Sequence, residues 1–144
     1  MSNATNYLEN HWIDHQFRSA PYAKPTAAWV ALYTAAPSDP GGGTEVTGGG
    51  YARVNLPPLD TNWTATQGGV AGASSGTSGT TTNAVIVTFP VPSADWGTVT
   101  AVAIYDAPTG GNPLVWAPLT TPRDIKAGDP APRFQPGTLA IAVA

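Results

Sequence analysis

The side chains best suited to acid–base or metal chemistry in this chain are two histidines and a few aspartates. His11 and His15 lie four positions apart with Asp14 between them, so on a helix both imidazoles would share one face. That spacing could supply two ligands to a zinc ion, but a catalytic zinc site needs a third ligand from elsewhere and a dry pocket. The pattern favours two exposed or interface imidazoles over a metal site.

Four aspartates could form the paired carboxylates that glycoside hydrolysis requires. They are Asp95, Asp106, Asp124 and Asp129. Each lies in a polar connector or at a loop start, where Asp side chains bond turn amides. A serine triad would need a histidine near a Gly-x-Ser-x-Gly elbow, and both histidines lie in the N-terminal segment. We therefore expect turn roles for the four aspartates, no catalytic residue, no cofactor and no metal.

The segment from Leu32 to Val54, LYTAAPSDPGGGTEVTGGGYARV, contains residues that shape the backbone rather than react. Its glycine triplets, Gly41–Gly43 and Gly48–Gly50, are not followed by the Lys-Ser or Lys-Thr of a phosphate-binding loop. They indicate turns between strands. We expect the loops Gly41–Gly50 and Gly72–Thr82 to point outward or to contact partners.

The aromatic residues divide between the core and the surface. Trp29 and Tyr105 lie inside apolar stretches and are expected in the core. Trp63, Trp96 and Trp116 fall near turns or a sheet edge, where a flat ring could stack on a sugar or anchor a subunit interface. Core or interface roles are favoured over a sugar platform.

One short helix is predicted near the N-terminus. Asn6 is a candidate N-cap, with Glu9 three residues on as in a capping box, and Pro21 ends the run. A broad apolar face is formed by Leu8, Trp12, Ile13 and Phe17. A helix of about a dozen residues is marginal alone, so Trp12 and Phe17 must pack on the body of the domain or on another subunit.

Beyond Lys24 the pattern changes to short strands. They are predicted over Ala28–Thr34, Tyr51–Leu56, Ala84–Phe89, Thr98–Tyr105, Pro113–Pro118 and Thr138–Val143. The proline-bounded strand suits a sheet edge, since proline donates no ladder hydrogen bond. Gly68–Thr82 is predicted as an extended surface loop or a small hairpin. The resulting fold class is all-β, an antiparallel β-sandwich that is jelly-roll-like or a partly open barrel, with a helical anchor over residues 1–22 and a β domain over 23–144.

Composition excludes several classes of protein. Only 10% of the 144 residues are charged, against roughly 25% in an ordinary soluble domain. The low charge indicates a turn-rich β protein with an uncharged polar surface, a surface largely covered by neighbouring subunits, or both. The net charge of −3 with six scattered cations gives no reason to expect nucleic acid. There is no cysteine, no basic start followed by an apolar run, and no stretch of roughly 18 apolar residues. Synthesis in a host cytoplasm and no membrane contact are expected.

Several segments, in order, resemble a family of small bacteriophage virion proteins labelled phage tail fibre or virion-associated proteins. They are NYLENHWIDHQFR, AWVALYTAAPSDPGGGTEVTGGGYARV, VTFPVPSADWGTVTAVAIYDAPTGGNPLVWAPLTTPRDIKAGD and FQPGTLAIAV. The resemblance implies a non-enzymatic structural protein of the virion, forming a symmetric oligomer with itself, most readily a trimer, and contacting other virion proteins.

Partner contacts are expected at Trp12, Ile13, Phe17 and Trp116. Within the structural class, the alternative to a tail-fibre or tail-associated subunit is a capsid decoration or head-fibre protein. From a different class, the alternative is a module that binds a glycan receptor on the host surface through Trp63, Trp96 or Trp116.

Overall fold

The computed structural model describes residues 2–143, which form one short helix and ten strands. In chain order they are β1 (Asn3–Ala4), α1 (Asn6–Phe17), β2 (Trp29–Ala35), β3 (Thr44–Glu45), β4 (Val54–Asn55), β5 (Thr80–Thr82), β6 (Val87–Thr88), β7 (Gly97–Tyr105), β8 (Pro113–Ile125), β9 (Arg133–Phe134) and β10 (Ala140–Ala142). All pairings are antiparallel and the sheets do not close into a barrel. The all-β prediction with a short N-terminal helix is confirmed.

The main sheet has the strand order β1-β8-β7-β2-β3, with β4 also paired to β2. Side chains alternate across it, so Val30 and Ile104 pair on one face while Ala31 and Ala103 pair on the other. The first face is covered by the small ribbons β6–β9 and β5–β10, which contribute Phe89, among others, to the core. The protein is thus layered, with one large sheet under two small ribbons.

Three of the predicted strands shrink to short pairings. Thr138–Val143 leaves Ala140–Ala142, Tyr51–Leu56 leaves only Val54–Asn55, and Ala84–Phe89 leaves only Val87–Thr88. In the last two, hydroxyl and amide side chains replace the ladder. The Tyr51 hydroxyl accepts from the Leu32 amide at 2.9 Å, and the fully buried Asn83 amide donates to the carbonyls of Val85 and Gln135. Both predictions were therefore too long, because sequence periodicity does not report such substitutions.

The prediction of an edge strand at Pro113–Pro118 is wrong. The strand extends to Ile125, and Asn3 and Ala4 pair with Trp116 and Val115 on its outer side. The segment Gly68–Thr82 is likewise neither only a loop nor a hairpin, since Thr80–Thr82 pairs with Ala140–Ala142. The loop before this strand is held together by the Gln67 side chain, which donates to the Ala73 carbonyl and accepts from the Ser75 amide, both at 2.9 Å.

The helix has the predicted extent, but its N-cap is Thr5 and not Asn6. The Thr5 hydroxyl accepts from the Leu8 amide at 3.4 Å and donates to the Pro113 carbonyl at 2.5 Å. This side chain is 1% exposed, so the cap also fixes the helix start to β8. Shifting the cap by one residue places Glu9 beyond the capping-box position.

Candidate functional site

The most exposed large apolar cluster among the described residues lies on the outer face of α1. Trp12, Ile13 and Phe17 are 49%, 47% and 75% exposed. The rings of Trp12 and Phe17 contact each other edge to face with centroids 5.8 Å apart. No residue of α1 is buried. These side chains were expected to pack either on the body of the domain or on another subunit. Packing on the domain body is wrong for Phe17, and it covers only about half of Trp12. We call these three residues the helix patch.

One face of α1 docks the helix on the domain. The ring centroids of Tyr7 and His11 lie 4.2 Å apart with tilted planes, and those of His11 and Tyr22 lie 5.1 Å apart. Leu8 packs against the cluster formed with Ile104. Trp12, one turn after Leu8, lies at the border of this docked face and is half covered, whereas Phe17 lies beyond it and is 75% exposed.

The two histidines form hydrogen bonds to their own backbone neighbourhood. The His11 Nδ1 lies 2.8 Å from the Tyr7 carbonyl, and the His15 Nδ1 accepts from the Tyr22 amide at 3.1 Å. Within residues 2–143 no group of three His, Asp or Glu side chains could hold a metal ion. The arrangement fits the reading of both imidazoles as local structural groups.

Three of the four candidate aspartates lie in loops, as predicted, but Asp124 lies in β8 and pairs with Thr98 of β7. Asp106 accepts from the amide and side chain of Asn112 across the β7–β8 loop. Asp129 accepts from the Lys126 amide at 2.8 Å, and the Lys126 ammonium lies 3.5 Å and 3.2 Å from Asp95 and Asp124. The Ala127 amide, followed by Lys126, lowers the pKa of the Asp95 carboxyl. These contacts lie at the solvent surface, where Asp106 fixes the β7–β8 loop and the other three fix the segment that follows β8.

The tryptophans separate into three environments. Trp96 is 5% exposed and donates its indole N–H to the Gly49 carbonyl at 2.9 Å, so it belongs to the core and offers no platform. Trp116 donates to Asp39 at 3.3 Å and packs against the small-residue face of the sheet. Its partner role stays a prediction, and no ring contact joins it to the helix patch among the described residues. Trp29, expected in the core, is half-buried.

Trp63 lines a cleft of about 640 Å³ between α1, the main sheet and the segment 58–74. The walls are mostly aliphatic, and the lining includes Leu8, Leu59, Val70, Ile104, Leu114 and Ile141. Two charged side chains, Lys24 and Asp60, also border it. We call this space the Trp63 cleft.

A buried polar cluster around Arg53 was not predicted from the sequence. Its guanidinium makes a two-pronged ion pair with Glu45, with both N–O distances at 2.8 Å. A third nitrogen donates to the carbonyls of Ala107 and Gly110 at 2.9 Å, and the guanidinium carbon lies 3.6 Å from the Tyr105 ring centroid. Arg53 therefore fastens the β7–β8 loop to β3 and β4. The available signal was an arginine inside an alternating strand of a chain poor in charge.

The hydroxyls beside this cluster are held in their protonated form. Burial first, and then the hydrogen bond with Tyr105, raises the pKa of Tyr33 above its usual range. Burial likewise raises the pKa of Tyr51, which donates to Glu45 at 3.0 Å. Protonated tyrosines beside the Arg53–Glu45 ion pair serve as structural hydrogen-bond partners.

The chain was compared with protein families and with curated proteins to test the expected virion role. None of the helices in residues 2–143 has the length and apolar character to cross a bilayer. A search of curated proteins found no match. A family model described as "Podophage GP4 fiber I protein gp80" matches residues 3–142, which include α1, the main sheet and both ribbons. The resemblance to phage virion fibre proteins, and with it the virion localisation, is confirmed. This chain belongs to the podophage GP4 fiber I protein gp80 family.

Proposed function

We propose that this protein is a non-enzymatic structural subunit of a phage tail fibre or tail-associated assembly, and that it forms a symmetric homotrimer through apolar contacts. The observation that carries the proposal is the helix patch. Two aromatic rings and an isoleucine stand in solvent on a rigidly capped helix. Aromatic side chains of this kind dominate the binding energy of protein interfaces.

Desolvation supplies the driving force for such an assembly. Burying a Phe or Ile side chain stabilises by about 1.5–3 kcal/mol relative to leaving it exposed. Phe17 is 75% exposed, so most of this contribution is unused in the isolated chain. With only 10% charged residues, the surface offers few ion pairs to serve instead. Assembly through the helix patch would therefore rest on apolar burial.

In this proposal residues 1–22 would present the helix patch to partners, and residues 23–144 would supply the stable β domain behind it. The first segment is also anchored in that domain, because Asn3 and Ala4 pair with β8 in the main sheet. The chemistry-bearing side chains support a passive role, since the His11, His15 and Asp106 side chains are engaged within the chain.

The double substitution Trp12→Ala with Phe17→Ala tests the assembly. We expect it to convert the oligomer to monomer in light scattering while the circular dichroism of the β domain is unchanged, because neither side chain contributes to the core. The matched control is Val85→Ala with Val91→Ala, which removes apolar groups that are 37% and 61% exposed outside α1. A double mutant that keeps the wild-type mass would contradict the role of the helix patch.

The position on the particle is tested by copy number. We expect purified virions to contain a few copies, with cryo-microscopy density on the tail. Hundreds of copies with density on the shell would instead establish the alternative, a capsid decoration or head-fibre protein.

A further inference from the structure

We infer that the Trp63 cleft of one copy receives the helix patch of a second copy, so that the oligomer is built by one repeated patch-into-cleft contact. The inference rests on the proposed homo-oligomer and names the surface that completes it. Among residues 2–143, Leu8 of α1 lies on the wall of the cleft and the space itself stays open. Leu59 and Val70 at its border are 56% and 44% exposed.

The chemistry of the cleft selects an apolar occupant. Its walls are mainly aliphatic, and the hydroxyls that line it already have partners. Thr64 shares a hydrogen bond with Thr82 at 3.1 Å, Thr81 donates to the Thr64 carbonyl at 2.6 Å, and the Ser74 hydroxyl accepts from the Thr66 amide at 3.3 Å. A ligand rich in hydroxyls would find few free partners among them. An aromatic or branched side chain would bury apolar surface against every wall.

The same chain exposes an occupant of that kind. Trp12 and Phe17 contact each other edge to face, and 49% and 75% of these side chains stay exposed in their own copy. The cleft, at about 640 Å³, is in the range of sites that enclose a drug-sized molecule. An unmatched bulky patch and an unmatched apolar cleft are therefore present on every copy.

Charge complementarity supports the pairing. The cleft is bordered by a cation, Lys24, and an anion, Glu9 in the first turn of α1, lies beside the helix patch. Arg18 at the C-cap is already paired with Asp14 at 3.0 Å. The contact between copies would therefore place Glu9 near Lys24.

The contact predicts a closed assembly, because patch and cleft are different surfaces and each must be satisfied by another copy. Head-to-tail contacts close into rings when the rotation permits, and a threefold ring would satisfy every patch and every cleft. A reciprocal twofold pair, in which each patch enters the cleft of the other copy, would satisfy them as well. The mass of the oligomer in light scattering distinguishes the trimer that we propose from this dimer.

Cysteine cross-linking tests the contact directly, because the chain has no cysteine of its own. Differently tagged Phe17→Cys and Val70→Cys copies are co-expressed, purified through both tags and oxidised. We expect a disulfide-linked mixed pair on a non-reducing gel. The control replaces Val70→Cys with Val91→Cys, an exposed position outside the cleft, and should give no mixed pair.

Charge reversal provides a second measurement that does not depend on thiol geometry. Lys24→Glu should weaken assembly about two- to fivefold, the effect of one exposed ion pair, and adding Glu9→Lys should restore it. Rescue of one charge by the other is not expected from two unrelated surface changes.

The possible failures are distinguishable. If wild-type protein is oligomeric but links Phe17→Cys only to Phe17→Cys, the patch-into-cleft contact is overturned and the proposed oligomer stands. If the protein is monomeric, both proposals fall. Saturable binding of a saccharide on a glycan array, abolished by Trp63→Phe and unaffected by Phe17→Ala, would assign the cleft to a receptor and overturn the inference.

Discussion

Removing the Arg53 side chain should cost more stability than removing any exposed cation. Arg53 and Glu45 are joined by two hydrogen bonds of 2.8 Å, and their side chains are only 6% and 23% exposed. Arg53→Met keeps the aliphatic stem but leaves a half-buried carboxylate without its counter-charge. The carbonyls of Ala107 and Gly110 lose their donor as well.

The magnitude follows from this burial. Leaving one member of a buried ion pair unpaired costs about 3–5 kcal/mol, and partial exposure of Glu45 places the expectation at the lower end, about 3 kcal/mol. For a domain of this size, each kcal/mol lowers the Tm by about 2–4 °C. Arg53→Met should therefore unfold roughly 6–12 °C below wild type.

Urea and thermal unfolding followed by tryptophan fluorescence would measure the difference. The matched control is Arg18→Met, which breaks an ion pair to Asp14 of similar length, 3.0 Å, whose side chains are 71% and 42% exposed. That change should cost less than about 1 kcal/mol. Equal losses for the two variants would refute the reasoning, since burial would then contribute nothing to the Arg53 pair.

Three further predictions concern the stability of the β domain. Tyr51→Phe should lose about 1–3 kcal/mol in urea unfolding, because the buried Leu32 amide would lose its acceptor; an unchanged midpoint would contradict this. Gly49→Ala should cost at least about 1 kcal/mol more than Gly48→Ala, since both have positive φ but only at Gly49 would a Cβ lie 2.9 Å from a backbone oxygen; equal thermal midpoints would argue against that contact. The lowered pKa of Asp95 contributes stability that is present above its unfolded pKa of about 3.9 and lost as pH falls through the folded value. The urea midpoints of wild type and Asp95→Asn should therefore converge below about pH 4. A difference between the two midpoints that grows below this pH would contradict a lowered pKa of Asp95.

The sequence predicted the elements whose signal is local. The β-branched and alternating stretches that became β2 and β7 lie within one residue of their predicted ends, because such strands pair along their length and are read directly from their side chains. The helix was predicted for the same reason, and so were the apolar residues Trp12, Ile13 and Phe17 on its surface. The family resemblance of the sequence also indicated a component of a phage particle.

The N-cap, the edge of the sheet and the length of the third predicted strand required the tertiary structure. The Thr5 cap is selected by a carbonyl more than a hundred positions away in β8, and the predicted edge strand is covered by the first residues of the chain. In the stretch 84–86, β-branched side chains indicated a strand, yet the amide of Asn83 bonds the neighbouring backbone instead of a partner strand. Long-range hydrogen bonds of single side chains have no periodicity, so no local pattern reports them.

The candidate surfaces divide in the same way. Sequence alone identified Trp12, Ile13 and Phe17 as an apolar group that needs cover, because hydropathy and helical spacing are properties of a short segment. Folding alone assembled the Trp63 cleft from segments far apart in the chain and brought Arg53 against Glu45 across a glycine turn. Which apolar groups remain uncovered is set by what the rest of the chain places against them, and that depends on the complete packing of the sheet and its ribbons.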